Sequence, residues 1–295
     1  MALDGLNGHD SLRNFLSETL DYIPHINSTT PVGGGCINTC LKLVTNSGTF
    51  FLKYNNADKY PGMMASEAYG LELLRSTQTI SIPEVVAQNE SGGIDFLVLK
   101  WIESAPESTD YWQQFGEQLA AMHHHTSNRF GLEKDNYIGS LPQSNTPTED
   151  GIDFFIEHRL QPQLELALEK KRLPISIITQ FEALYAQLPS LLPLEPPALL
   201  HGDLWEGNYL TGPDGKAWLV DPSVQYGFRE AEIAYTQLFG GFNVDFYNAY
   251  NDSFPLLQGF QDRNEIYNLY PLLVHLNLFG GNYGNQVMGI LESYS

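Results

Sequence analysis

His201-Gly202-Asp203-Leu204-Trp205-Glu206-Gly207-Asn208, followed thirteen residues after its Asn by Asp221-Pro222-Ser223, decides how this 295-residue chain is read. A short apolar run, 198–200, leads into the first segment, and a second, Ala217-Trp218-Leu219-Val220, ends at Asp221. Between them Thr211-Gly212-Pro213-Asp214-Gly215 is built from turn formers, so Asn208 and Asp221 are expected as neighbours on one hairpin. Asp203 would take or orient the proton of an acceptor hydroxyl. Asn208 offers a neutral oxygen to a divalent ion, and Asp221 a carboxylate at a strand tip. An Asp, an Asn five residues on and a further Asp after the next hairpin form the set that phosphoryl transfer requires, because that chemistry depends on positioning and charge neutralisation.

Reading outward toward the N-terminus, residues 37–44 roughly alternate, Asn46-Ser47-Gly48 offers a turn, and Thr49-Phe50-Phe51-Leu52-Lys53 reads as the returning strand. Lys53 then stands at the end of a buried strand, where it would hold a nucleotide's phosphates. The next segment, 65–76, has helical spacing, and Glu67 shares its apolar face with Leu71 and Leu74. A carboxylate so placed needs a cation, and Lys53 is the natural one. Val32-Gly33-Gly34-Gly35-Cys36 precedes the hairpin; Gly33, Gly34 and Gly35 would let backbone N–H groups approach an anion closely. Strands at 85–88 and 94–99 complete a small sheet. The segment Lys100-Trp101-Ile102 follows.

Beyond residue 103 the pattern is helical, with helices expected at 152–171, 175–191, 230–239 and 264–278 and kinks or breaks at Pro162 and Pro271. The expectation is an α+β, two-lobed fold: an N-lobe, 1–102, with a small antiparallel sheet and one main helix, and a larger, mainly helical C-lobe, 103–295. Trp205, two residues from the proposed base, would wall the acceptor site. His123, His124 and His125 do not suit one metal, since helical neighbours point about 100° apart; His123 is expected to pack at the base of the catalytic loop. Arg229 and Glu230 read as a helix start or an ion pair.

Composition sets outer bounds. Hydrophobic residues are 42% and charged ones 17%, as in globular proteins. The net charge of −20 opposes nucleic acid and anionic membrane surfaces as partners, so local cations must draw in any nucleotide. Cys36 and Cys40 form neither a disulfide framework nor a zinc pattern. With no basic, apolar leader at Met1-Ala2-Leu3-Asp4-Gly5 and no long apolar run, a cytoplasmic location is expected.

These segments together resemble the fructosamine kinase, or ketosamine-3-kinase, family within the protein-kinase-like and aminoglycoside-phosphotransferase-like superfamily. The resemblance also rests on Asn136-Tyr137-Ile138-Gly139-Ser140, Tyr226-Gly227-Phe228-Arg229-Glu230-Ala231-Glu232, Leu238-Phe239-Gly240-Gly241-Phe242 and His275-Leu276-Asn277-Leu278-Phe279-Gly280. It implies ATP and Mg²⁺ as cofactors and a small-molecule or protein-bound ketosamine as acceptor, phosphorylated on its C3 hydroxyl. The product would then lose phosphate by elimination and return the free amine, a deglycation. The resemblance leaves fructosamine and ribulosamine or erythrulosamine types open, and a monomer or weak homodimer is expected. By the resemblance, Lys100 and Ile102 would meet the nucleotide mainly through backbone atoms; Lys100 departs from the acidic residue common in the family's hinge, and Cys36 implies, by resemblance, disulfide-linked regulation. An aminoglycoside or choline-type kinase would share the five site residues Asp203, Asn208, Asp221, Lys53 and Glu67, differing only in the acceptor pocket. A nucleotide-binding pseudokinase would normally lack one of them.

Overall fold

Strand alternation on either side of a turn becomes a meander. The computed structural model describes residues 16–17, 25–33 and 37–294. There, β1 (Ile26–Pro31), β2 (Thr39–Thr45) and β3 (Gly48–Asn56) run antiparallel. The turn into β3 is tied by Thr45, whose hydroxyl oxygen accepts from the Ser47 N–H and whose hydroxyl donates to the Gly48 carbonyl. Helix α1 (Met63–Ser76) follows, then β4 (Val85–Ser91) and β5 (Ile94–Lys100), giving the sheet order β1-β2-β3-β5-β4. Residues 94–99 are all buried, so both faces of β5 are covered: Phe96 and Val98 meet Leu43, Leu52 and Tyr54, while α1 packs against β4 and β5.

Helix α1 has no capping side chain of its own, starting after Gly62 in the left-handed region. Asp95 of β5, fully buried, accepts from the Met64 N–H at 2.9 Å instead and pins the helix start to the sheet. Burial raises the Asp95 carboxyl despite that bond.

The chain divides into two compact units, Met1–Tyr111 with Tyr209–Pro222, and Trp112–Asn208 with Ser223–Ser295. This differs from the sequence-based division at 102, because a later hairpin returns to the first unit. Helix α2 (Tyr111–His123) is followed by the short pair β6 (Asn136–Ile138) and β7 (Leu141–Gln143). The expected helix over 152–171 is interrupted: α3 (Gly151–Phe155) passes through a π-helical turn, Ile156–Leu160, into α4 (Gln161–Glu169). Pro162 lies in the first turn of α4, where its missing N–H costs nothing, and the Gln161 N–H reaches back to the Ile156 carbonyl.

Helix α5 (Ile177–Leu191) leads to β8 (Ala198–Leu200), whose partner is β11 (Gln225–Gly227). Between them β9 (Tyr209–Thr211) and β10 (Ala217–Leu219) form the returning hairpin, bonded to the first unit through Leu219 N–H to Ser81 and Ser108 N–H to Gly215. Helices α6 (Arg229–Leu238), α7 (Val244–Ser253), α8 (Phe260–Phe279) and α9 (Tyr283–Glu292) complete the second unit.

Of the kink or break expected at Pro271, the break does not occur: α8 runs through it. That helix packs on α4, α6 and α9, and burial along it outweighs one lost backbone bond. Among the described residues no helix is long and apolar enough to cross a membrane.

Candidate active site

In the first unit the chemistry is carried by an ion-paired triad. Lys53, 6% exposed on β3, places Nζ 2.7 Å from Glu67 Oε2 on α1 and 3.0 Å from Asp221 Oδ1 after β10. Burial alone would lower the Lys53 pKa, but the Asp221 and Glu67 carboxylates more than offset it and hold the ammonium charged. Burial pushes Glu67 up, against the attraction of Lys53, and its Oε1 has no hydrogen-bond partner among the described residues.

Asp221 is a non-glycine residue at φ 54, a left-handed conformation that costs about 1–3 kcal/mol and tends to mark functional positions. Its side chain is 48% exposed, and Oδ1 is the oxygen that meets Lys53.

Of the glycine loop, Gly33 is exposed, with open space where a Cβ would sit, and Gly34, Gly35 and Cys36 lie outside the described residues. Cys40 pairs in register with Lys53, and burial pushes its thiol up to about 11, which keeps it protonated and unreactive. In the segment after β5, the Lys100 N–H is spent on the Glu84 carbonyl and the Trp101 N–H on that of Thr49, whereas Ile102 makes no backbone hydrogen bond among the described residues.

In the second unit Asp203 is held from both sides. The Tyr235 hydroxyl donates to Oδ1 at 3.1 Å. Asn208 Nδ2 donates to Oδ2 at 2.9 Å and to the Asp203 carbonyl at 2.8 Å. Because the amide nitrogen is doubly committed, Asn208 Oδ1 is turned away from Asp203 and has no partner among the described residues. That is the orientation a cation ligand needs.

The loop carrying Asp203 is fixed by a residue without a local sequence signal. Glu232 of α6, 4% exposed, accepts from the Gly202 N–H at 2.7 Å and the His201 N–H at 3.2 Å. It also meets His123 Nε2 at 2.9 Å, and the other ring nitrogen of His123 meets the Tyr250 hydroxyl at 2.8 Å. Burial works to raise the Glu232 carboxyl, but the bonds and charge of His123, His201 and the Gly202 N–H hold it below the usual carboxylate range. The loop bends at Gly202, φ 84, where any Cβ would lie 1.9 Å from the Ser223 carbonyl oxygen. His123 therefore braces the loop, His124 stacks on Phe254 at 3.9 Å, and His125 uses its carbonyl to bind the Leu199 N–H.

Asp203 opens into a cavity, partly continuous with solvent, lined by Arg159, Glu232, Tyr235, Tyr267 and Tyr270 among others. Arg159 is 2% exposed and bonded to the Ser144 and His158 carbonyls and to Asn145 and Gln225; burial brings it down to about 10, against the raising influence of Tyr270 and Asp135. Trp205 is 37% exposed and is not among the lining residues; its ring lies over Gly207. Arg229 pairs with Glu195 at 2.7 Å and Glu230 with Arg263 at 2.7 Å, both structural.

Among the described residues no group of three or more His, Cys, Asp or Glu side chains could hold a metal. Taken separately, an Asp carboxylate in the first unit and an Asn amide oxygen in the second are each the kind of oxygen donor that Mg²⁺ accepts beside phosphate and water oxygens.

Comparison with known proteins gives the family. A family model described as fructosamine kinase matches residues 9–295. A Synechocystis protein bearing the name probable ketoamine kinase is 38% identical over 281 residues, covering 94% of this chain and 93% of its own. The chloroplastic protein-ribulosamine 3-kinase of Arabidopsis thaliana is 37% identical over 269 residues, covering 89% of this chain and 81% of its own. A solved structure from Thermobifida fusca, assigned to the fructosamine-3-kinases, superposes with a TM-score of 0.87 at 30% identity, covering 97% of this chain and 99% of its own. The chain belongs to the fructosamine kinase family, and it is a phosphotransferase with a kinase-like fold.

Proposed function

We propose that the protein transfers the γ-phosphoryl group of ATP to the C3 hydroxyl of a ketosamine of the ribulosamine, erythrulosamine or fructosamine type, on a small molecule or a protein. The observation that carries this reading is the Asp203 carboxylate, oriented through both oxygens and opening into a cavity lined by Arg159, Tyr267 and Tyr270. Asp203 accepts the hydroxyl proton, or orients that hydroxyl in line, as transfer proceeds. Lys53 holds phosphate oxygens, with Glu67 keeping its ammonium in place. Gly33, Gly34 and Gly35 bring backbone N–H groups to the phosphates, and the Lys100 to Ile102 backbone meets the base. Asn208 and Asp221 would hold Mg²⁺, which when bound neutralises charge on the phosphate oxygens. Trp205 would border the outer part of the acceptor.

Phosphate at C3 makes the product labile. Enolisation toward C1 and loss of the C3 phosphate give a deoxyosone imine, which water cleaves to the free amine. The test is incubation with Mg-ATP and a panel of ribulosamines, erythrulosamines, fructosamines and aminoglycosides. A C3-phosphorylated ketosamine and released amine are expected. Turnover of aminoglycosides alone, or nucleotide binding without transfer to any acceptor, would overturn the reading.

A further inference from the structure

Tyr235 does more than hold Asp203. Its hydroxyl must be the donor in the 3.1 Å contact, since an ionised carboxylate only accepts. The phenol's one hydrogen is therefore committed, and what its oxygen still offers the cavity is acceptor capacity. The ring is 7% exposed, packed edge-on against Phe239 at a centroid distance of 6.1 Å, and it lines the same cavity as Asp203. Burial, with the Asp203 charge beside it, raises the phenol far above its ordinary pKa, so it stays protonated.

The cavity thus presents two adjacent acceptors, Asp203 Oδ1 and the Tyr235 oxygen, at hydrogen-bonding separation. The complementary ligand is a pair of hydroxyl donors on neighbouring carbons. If the hydroxyl to be phosphorylated donates to Asp203, the next one donates to Tyr235.

In a ketosamine the two neighbours of C3 differ. C2 is a carbonyl, which cannot donate, and the phenol has no second hydrogen to offer it. Only the C4 hydroxyl fits. We infer that Tyr235 is a specificity-determining residue that reads the C4 hydroxyl of the acceptor, so that the enzyme selects a vicinal diol with one hydroxyl on Asp203 and the other on Tyr235. This rests on the ketosamine kinase reading and deepens it.

The experiment is a two-by-two comparison: wild type and Tyr235→Phe, each assayed with a ketosamine of a simple secondary amine and with its 4-deoxy analogue. Tyr235→Phe keeps the ring and its packing, and thermal unfolding checks the fold. Wild type should discriminate against the 4-deoxy acceptor by about tenfold or more in kcat/KM, since a site built to bind a hydroxyl leaves its partner unpaired when that hydroxyl is missing. Tyr235→Phe should turn over the parent acceptor about tenfold less efficiently and discriminate hardly at all, with KM for ATP unchanged.

Wild type accepting the 4-deoxy analogue as well as the parent would overturn the inference without needing the variant. So would a variant that discriminates as strongly as wild type, or one that unfolds early and weakens ATP equally. Absence of transfer to the parent acceptor by wild type is a different failure, for it removes the kinase reading and this inference with it.

Discussion

The two units solve the same problem, holding an acidic side chain in a fixed place, by different means. In the first, Asp221 is held by a charge: the Lys53 ammonium, buried beside Glu67, lies 3.0 Å away. In the second, Asp203 is held by neutral donors, Tyr235 and Asn208, and its loop by a buried carboxylate that collects backbone N–H groups. The difference follows from the task. A group that meets phosphates benefits from a cation that can be shared with them, whereas neutral donors such as the Tyr235 hydroxyl and the Asn208 amide orient Asp203 without themselves adding charge beside the oxygen that must take a proton. Damage to the first unit should therefore appear in nucleotide binding, and damage to the second in turnover.

The largest test is Asp203→Asn, which keeps the shape and removes the charge. Turnover should fall by roughly 10²–10⁴ while ATP binding, followed by calorimetry, stays close to wild type. Near-normal turnover would remove Asp203 from the chemistry.

Lys53→Met attacks the other side. It leaves Glu67 buried without its cation, a loss of about 3–5 kcal/mol for a broken buried pair, and it should also abolish measurable ATP binding. A urea midpoint unchanged from wild type would show that the pair is not what holds this part of the sheet.

A sharper probe of the contrast is Glu232→Gln, within the second unit. Its hydrogen bonds to the His201 and Gly202 N–H groups are charge-assisted, so about 1.5–3 kcal/mol is at stake for each. Turnover should drop at least tenfold with ATP affinity retained; a matching loss of ATP affinity would break the comparison between the units.

The smallest effect concerns pH. His275, on α8, is held neutral: burial lowers its pKa, although its Nδ1 lies 2.8 Å from the Pro271 carbonyl. A folded-state pKa below the unfolded one means that its contribution to stability is complete above about pH 6.5 and declines as the pH falls from there, where the unfolded chain binds the proton more readily. The urea midpoint of wild type should therefore fall between neutral pH and pH 5, and His275→Gln should flatten that slope. An identical slope in the variant would assign the dependence to other groups.

Much of this was legible locally. The spacing of Asp203, Asn208 and Asp221 and the hairpin ending at Lys53 are short-range patterns, since turns and strand alternation are set within a few residues. Glu67 was readable because a helix repeats its apolar face. Glu232 and Tyr235 were not, since nothing within α6 says which of its side chains will meet a loop some thirty residues earlier. That Pro271 would not break its helix was hidden for a related reason, as the local cost of proline is fixed but the packing around α8 is not.

The order of residues by itself determined which side chains could do phosphoryl chemistry, because backbone geometry ties residue type and spacing to strand tips, turns and helix faces. Only the tertiary structure decided what holds them: the capping of α1 by Asp95, the bracing of the 201–203 loop by Glu232 and His123, and the pairing of Tyr235 with Asp203. Those bonds join residues far apart in the chain, and their partners are chosen by how helices and strands pack rather than by any neighbour in sequence.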